Sequence, residues 1–168
     1  MAMPPEELYR TLRGRALEEG QEHVGEAPPD HPDVVGAVVD VPTEGGSVTL
    51  IALADGTTSM YSSAGSGVVG AGGRPEVVVA TRSLLTVVQS ILTRVPPDDR
   101  MDLPPSDLVQ ITVLTPAGRH RARVPAEAFW GRQPSSVTPL LAAIHAVISA
   151  LREATPDPPA PSSEGAGA

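Results

Sequence analysis

Asp55-Gly56 lies between two β-type runs, Val48–Ala54 and Thr57–Ser63, and so short a connection permits only one arrangement. Parallel strands need a crossover of about a dozen residues, so these two must be antiparallel neighbours. The junction reads as a two-residue type I′ turn, because glycine, and aspartate less readily, tolerates the positive φ that such a turn requires. Upstream, the apolar, β-branched run Val34–Val41 is closed by Pro42 and the Glu44-Gly45-Gly46 turn. Downstream, Asp107–Leu114 and Arg119–Val124 are joined by Thr115-Pro116-Ala117-Gly118, with proline and glycine placed for a tight turn.

Helical periods separate these runs. Residues 75–94 carry Val77, Leu84, Val88, Ile91 and Val95 on one stripe, flanked by Val78, Leu85 and Leu92. Arg82, Thr86, Gln89 and Thr93 mark the other face, a 3.6-residue period that Pro96-Pro97 ends. A second helix is expected over about 136–153, capped by Ser135 or Ser136. Its apolar face is Leu140, Leu141, Ile144, Val147, Ile148 and Leu151. A third spans 5–19, with Pro5, Glu6 and Glu7 suited to its first turn, Leu8, Leu12, Ala16 and Leu17 as its apolar stripe, and Gly20 as its stop.

The sequence thus divides into an N-terminal helix and proline-containing linker (1–32), a single α+β domain (33–153) and a disordered tail (154–168) rich in Pro, Ser, Gly and Ala. The expected fold is an α+β two-layer sandwich. Its five-stranded antiparallel sheet follows the order α-βββ-α-ββ-α, with helices 75–94 and 136–153 on one face. Strand 48–54 is apolar on both parities, as a strand with two buried faces is. The face away from those helices therefore needs a cover, which the N-terminal helix or a second subunit can supply. Together with the small-residue side of the last helix (Ala142, Ala143, Ala146, Ser149, Ala150), this leads us to expect a homodimer.

Composition narrows the function classes. The net charge of −8 opposes binding to nucleic acid or an anionic membrane, both of which need a positive field. Aromatic residues are 2% of the chain, too few for base-stacking platforms. The absence of cysteine removes disulfides, thiolate nucleophiles and cysteine zinc sites. The 12 basic side chains are all arginine, and with 19 prolines and no lysine they point to a GC-rich, bacterial genome. The start lacks a signal-peptide pattern, no apolar run approaches the ~18 residues of a membrane span, and a cytoplasmic protein is expected.

Three features bear on chemistry. Gly65, Gly67 and Gly70 match a dinucleotide-binding fingerprint between a strand and a helix, where backbone amides would hold a phosphate. The strand belongs to a hairpin, the helix starts only at Pro75, and the acid expected about 20 residues on is missing. A flexible or tightly packed strand-to-helix connection, in a chain already rich in glycine, is the competing reading. Arg119, Arg121 and Arg123 alternate onto one strand face, either as a site for an anion or an acidic partner or as a solvated face paired with acids from neighbouring strands or tails. Phe129-Trp130 supply half of the chain's aromatics, as a binding hot spot or as a plug for the core. His23, His31, His120 and His145 have no metal-binding spacing, and Asp98, Asp99 and Asp102 lack an EF-hand pattern. No metal and no cofactor is expected.

The element order, size and acidity resemble the class I type III secretion chaperones. That resemblance is one of topology over about residues 5–153, and it implies a non-enzymatic homodimer that holds a partner polypeptide on its outer sheet face and first helix. Roadblock and profilin-like domains are a second topological resemblance. The stretch from Leu53-Ala54-Asp55-Gly56-Thr57 through Gly65–Gly73 resembles small uncharacterised proteins of GC-rich bacteria. The expectation is a non-catalytic adaptor or chaperone-like module. Its polypeptide partner would meet Arg119, Arg121, Arg123 and Trp130. The alternative is a small-ligand or nucleotide-binding domain that uses the Gly65–Gly70 loop.

Overall fold

The computed structural model describes residues 2–20, 22, 28–68, 73–131 and 138–155. Its helices are α1 (Pro5–Glu19), α2 (Pro75–Ile91, extended by a 3-10 turn Leu92–Arg94), the short α3 (Ala126–Phe129) and α4 (Thr138–Ala154). Its strands are β1 (Gly36–Thr43), β2 (Gly46–Leu53), β3 (Thr58–Ser62), the two-residue β4 (Gly67–Val68), β5 (Leu108–Thr115) and β6 (Gly118–Pro125). The α+β architecture is the expected one: five full strands in one antiparallel sheet, with β4 as a short addition at its edge. The spatial order is β4-β3-β2-β1-β5-β6.

Strand alternation builds two different faces. Ala37, Val39, Leu50, Ala52, Val109, Ile111 and Val113 form the main core with Val77, Leu84 and Val88 of α2 and Leu140, Ile144 and Leu151 of α4. On the opposite face Val35, Val38, Ile51 and Leu114 pack with Leu17 of α1. The N-terminal helix thus supplies the cover that β2 requires, and α1 belongs to the same folded body as the sheet. Met60 and Tyr61 divide between the two cores, as alternation demands.

The buried stripe of α1 differs from the one expected. Tyr9, Arg13 and Leu17 are its buried residues, and Leu8 is 47% exposed. The stripe is rotated because the sheet surface beneath it is partly polar. Gly20 has an ordinary helical φ of −58° instead of a left-handed stop. Its place is set by close approach, since a Cβ there would lie 2.7 Å from Leu114 Cδ1.

The turn after β2 also differs. Asp55 has no positive φ, whereas Gly56 does, at 92°. Leu53 donates from its amide to the Thr57 carbonyl (2.9 Å), and Gly56 to that of Leu53 (3.0 Å). The connection is therefore a three-residue loop with glycine at the positive-φ position, the geometry that ends in a glycine bulge. Asp55 Oδ1 accepts from the Thr57 amide (2.8 Å) and locks the loop from outside.

The start of the domain is fastened to α2. The Gln89 carboxamide oxygen accepts from the amides of Asp33 (2.9 Å) and Val34 (3.2 Å). His31 is 1% exposed and donates from Nδ1 to the Val34 carbonyl (2.9 Å). Residues 28–33, expected as linker, are thus part of the packed body, while His23 lies outside the described residues. The window Pro75–Arg94 has the length and composition of a membrane span, contrary to the expectation that no segment approaches one. In this fold it lays its stripe into the core as an amphipathic helix.

Candidate functional site

The arginine stripe is built as alternation requires. In the β5–β6 ladder Arg119 sits opposite Leu114, Arg121 opposite Thr112 and Arg123 opposite Gln110, all on the outer face. The guanidinium groups, however, are occupied from within. Arg121, with a 2% exposed side chain, grips Asp98 through Nε (2.9 Å) and Nη2 (2.6 Å). Its Nη1 donates to Asp102 Oδ1 (2.9 Å) and Gln110 Oε1 (3.1 Å). Arg123 donates to Gln110 Oε1 (2.9 Å) and Asp102 Oδ2 (3.1 Å). Arg119 donates to the carbonyls of Leu17 (3.0 Å) and Asp99 (2.5 Å). Acids from the 96–106 loop thus pair with Arg121 and Arg123, whereas Arg119 is held by main-chain carbonyls and its buried Nε has no hydrogen-bond partner among the described residues.

The same pairing accounts for the three acids weighed as cation ligands. Asp98 is held far below the ordinary carboxylate range, first by Arg100 and then by Arg121. Asp102 is lowered by its bonds to Arg121, with the Arg123 charge adding to the effect. Among the described residues there is no His, Asp and Glu cluster able to hold a metal.

The network continues across the sheet beneath α1. Arg13 meets Asp40 of β1 in a two-point pair, Nε to Oδ1 (2.9 Å) and Nη2 to Oδ2 (2.8 Å). Burial is the largest single effect on Arg13 and opposes its charge, but the hydrogen bond to Asp40 and the surrounding negative charge, Asp40 first, together outweigh it and raise the pKa. Thr49 donates to Asp40 Oδ1 (2.7 Å). A hydroxyl has one proton, so the 2.7 Å contact between Tyr9 and Thr49 has Tyr9 as donor. Burial pushes the Tyr9 phenol up. Arg13 also donates to the Met101 carbonyl (2.5 Å) and Gln110 to that of Asp102 (3.0 Å), which joins the two halves. The sequence reading missed Tyr9, Arg13 and Asp40. The available signals were an aspartate inside an apolar β run and the i, i+4, i+8 spacing of Tyr9, Arg13 and Leu17.

Gly65 and Gly67 of the glycine segment take part in a hairpin. Gly65, with φ at 98°, closes the turn between β3 and β4 by donating to the Ser62 carbonyl (3.0 Å). Gly67 pairs with Tyr61 across the ladder. A Cβ on Gly67 would lie 2.9 Å from the Met60 carbonyl, so packing alone accounts for this glycine. Gly70 lies outside the described residues. Gly65 and Gly67 line a cavity of about 220 Å³ with Pro5, Leu8, Tyr9 and Leu12 of α1.

Phe129 and Trp130 part company. Phe129 ends α3 and plugs the core at 2% exposure. Its ring stacks on His145 of α4 at 4.4 Å between centroids, and His145 donates from Nε2 to the Phe129 carbonyl (2.7 Å). Trp130, directly after the helix, meets the Phe129 ring edge-on at 5.0 Å and remains 52% exposed. Both rings border an open cavity of about 350 Å³ whose wall is completed by Leu141, Ala142 and His145.

No protein-family profile, curated protein or solved structure matches this chain.

Proposed function

We propose that this protein is a non-catalytic adaptor or chaperone-like module that binds a polypeptide through the Trp130 surface. Trp130 carries the reading, because a large ring left 52% exposed beside an open cavity is a feature that packing among the described residues does not account for. Tryptophan concentrates binding energy at interfaces, since it brings a large rigid surface at small entropic cost and its indole N–H can still find a partner. Phe129 and His145 fix the floor of the cavity and present it ready-made. The arginines proposed from the sequence as contacts are engaged with Asp98, Asp99, Asp102 and Gln110, which moves the proposed contact to the aromatic end of the molecule. The acidic, cysteine-free composition suits a cytoplasmic setting.

Native mass spectrometry of the chain purified gently from its own host tests this reading. The expected result is a retained polypeptide that is lost in Trp130→Ala and kept in Leu103→Ala, a substitution of another exposed apolar residue. Retention of a nucleotide-sized mass, or of the polypeptide equally in both variants, would overturn it.

A further inference from the structure

The rings that border the Trp130 cavity stand nearly perpendicular, at 84°, with centroids 5.0 Å apart. Phe129 is buried and fixed, Trp130 is half-exposed, and Leu141 and Ala142 complete an apolar wall. Aromatic-lined grooves take proline-rich segments, whose extended backbone is largely set before binding and costs little entropy to dock. Such segments are poor in N–H groups and rich in carbonyls, which an indole N–H at the rim of the cavity can meet. The chain carries a segment of this chemistry. Residues 156–161 read Pro-Asp-Pro-Pro-Ala-Pro, four prolines in six residues. They lie outside the described residues and follow α4, the helix whose first half lines the cavity.

We propose that the Trp130 cavity is occupied by residues 156–161 of its own chain, which an outside polypeptide must displace. The inference rests on the reading of this cavity as a polypeptide site and adds its resident occupant. Reach permits it. Thr155 lies 10 residues beyond His145 and 14 beyond Leu141. Along a helix at ~1.5 Å per residue, that is about 15–21 Å. Proline-rich backbone covers ~3.1 Å per residue, so about five to seven residues returning along α4 span the distance. That count brings Pro161 level with the cavity. Tethering selects the occupant. A segment on so short a connection meets the cavity at an effective concentration on the order of millimolar, far above that of a second copy in micromolar solution. Residues 132–137 also adjoin the cavity, but they hold one proline, Pro134.

Acrylamide quenching of the full chain tests the proposal, because Trp130 is the sole tryptophan. Pro156→Ser, Pro158→Ser, Pro159→Ser and Pro161→Ser combined should raise the quenching constant by about 2-fold or more, since a tethered segment keeps the cavity mostly filled in wild type. The emission should shift to the red. Both effects should hold unchanged from about 1 to 50 µM, because tethering does not depend on protein concentration. Glu164→Ser, past the prolines, should leave quenching at the wild-type value. Equal quenching of wild type and the four-proline variant would overturn the proposal and assign any cover to residues 132–137. Wild-type protection that grows with protein concentration would overturn it in favour of a second copy. Neither result bears on the retained polypeptide by which the adaptor reading is judged. Conversely, loss of protection in the four-proline variant supports this inference even where native mass spectrometry retains no polypeptide.

Discussion

Arg13 of α1 and Asp40 of β1 hold each other through two parallel hydrogen bonds, with side-chain exposures of 8% and 0%. The pair pins the N-terminal helix to a sheet face that Val38, Ile51 and Leu114 only partly make apolar. Removing one partner would strand the other charge in the interior. Arg13→Ala or Asp40→Ala should therefore cost about 3–5 kcal/mol in urea unfolding. Arg13→Met combined with Asp40→Val removes both charges and should cost less than either single change. A double variant as unstable as the sum of the two singles would show that the pair does not act as a unit.

The outer network should make stability fall in acid. The folded pKa values of Asp98 and Asp102 lie below their unfolded ones, through bonds to Arg100 and Arg121. Their contribution is then fully present above the unfolded carboxylate value of about 4 and is lost as pH falls through the folded values. The thermal midpoint of Asp98→Asn should lie below that of wild type at neutral pH. The gap should close as pH drops below about 4. A gap that stays constant across this range would remove the network from the account.

Adjacent aromatic residues should respond in opposite ways. Phe129→Ala empties a filled core position and should cost about 3–5 kcal/mol. Trp130→Ala removes a half-exposed ring and should change unfolding free energy by about 1 kcal/mol or less. Trp130 is the sole tryptophan, so its emission reports the cavity directly and should shift to the blue when a partner covers it.

The β2–β3 loop separates two turn geometries. Gly56 has φ at 92°, so Gly56→Ala should cost about 1–2 kcal/mol in strain. Asp55 has no positive φ and contributes a hydrogen bond to the Thr57 amide, so Asp55→Ala should cost about 1 kcal/mol. Under a two-residue type I′ turn, Asp55→Gly would instead stabilise the protein by relieving strain; here it should destabilise.

By itself the sequence determined the elements and the main core. Periods of two and of 3.6 are written in neighbouring residues, and connections such as Thr115-Pro116-Ala117-Gly118 leave only hairpins. Hence the antiparallel sheet, the inward stripe Val77, Leu84, Val88, and the shared face of Arg119, Arg121 and Arg123 could all be read directly. Tertiary structure alone decided which polar groups meet. Arg13 finds Asp40 across 27 positions and Met101 across 88, and no local pattern encodes such a distance. It also decided the fate of the arginine stripe, because whether a guanidinium faces solvent or Asp98 depends on how the 96–106 loop folds back over β6. It separated Phe129 from Trp130 for the same reason. Adjacent side chains share a local sequence but not a direction, and burial is a property of what stands opposite.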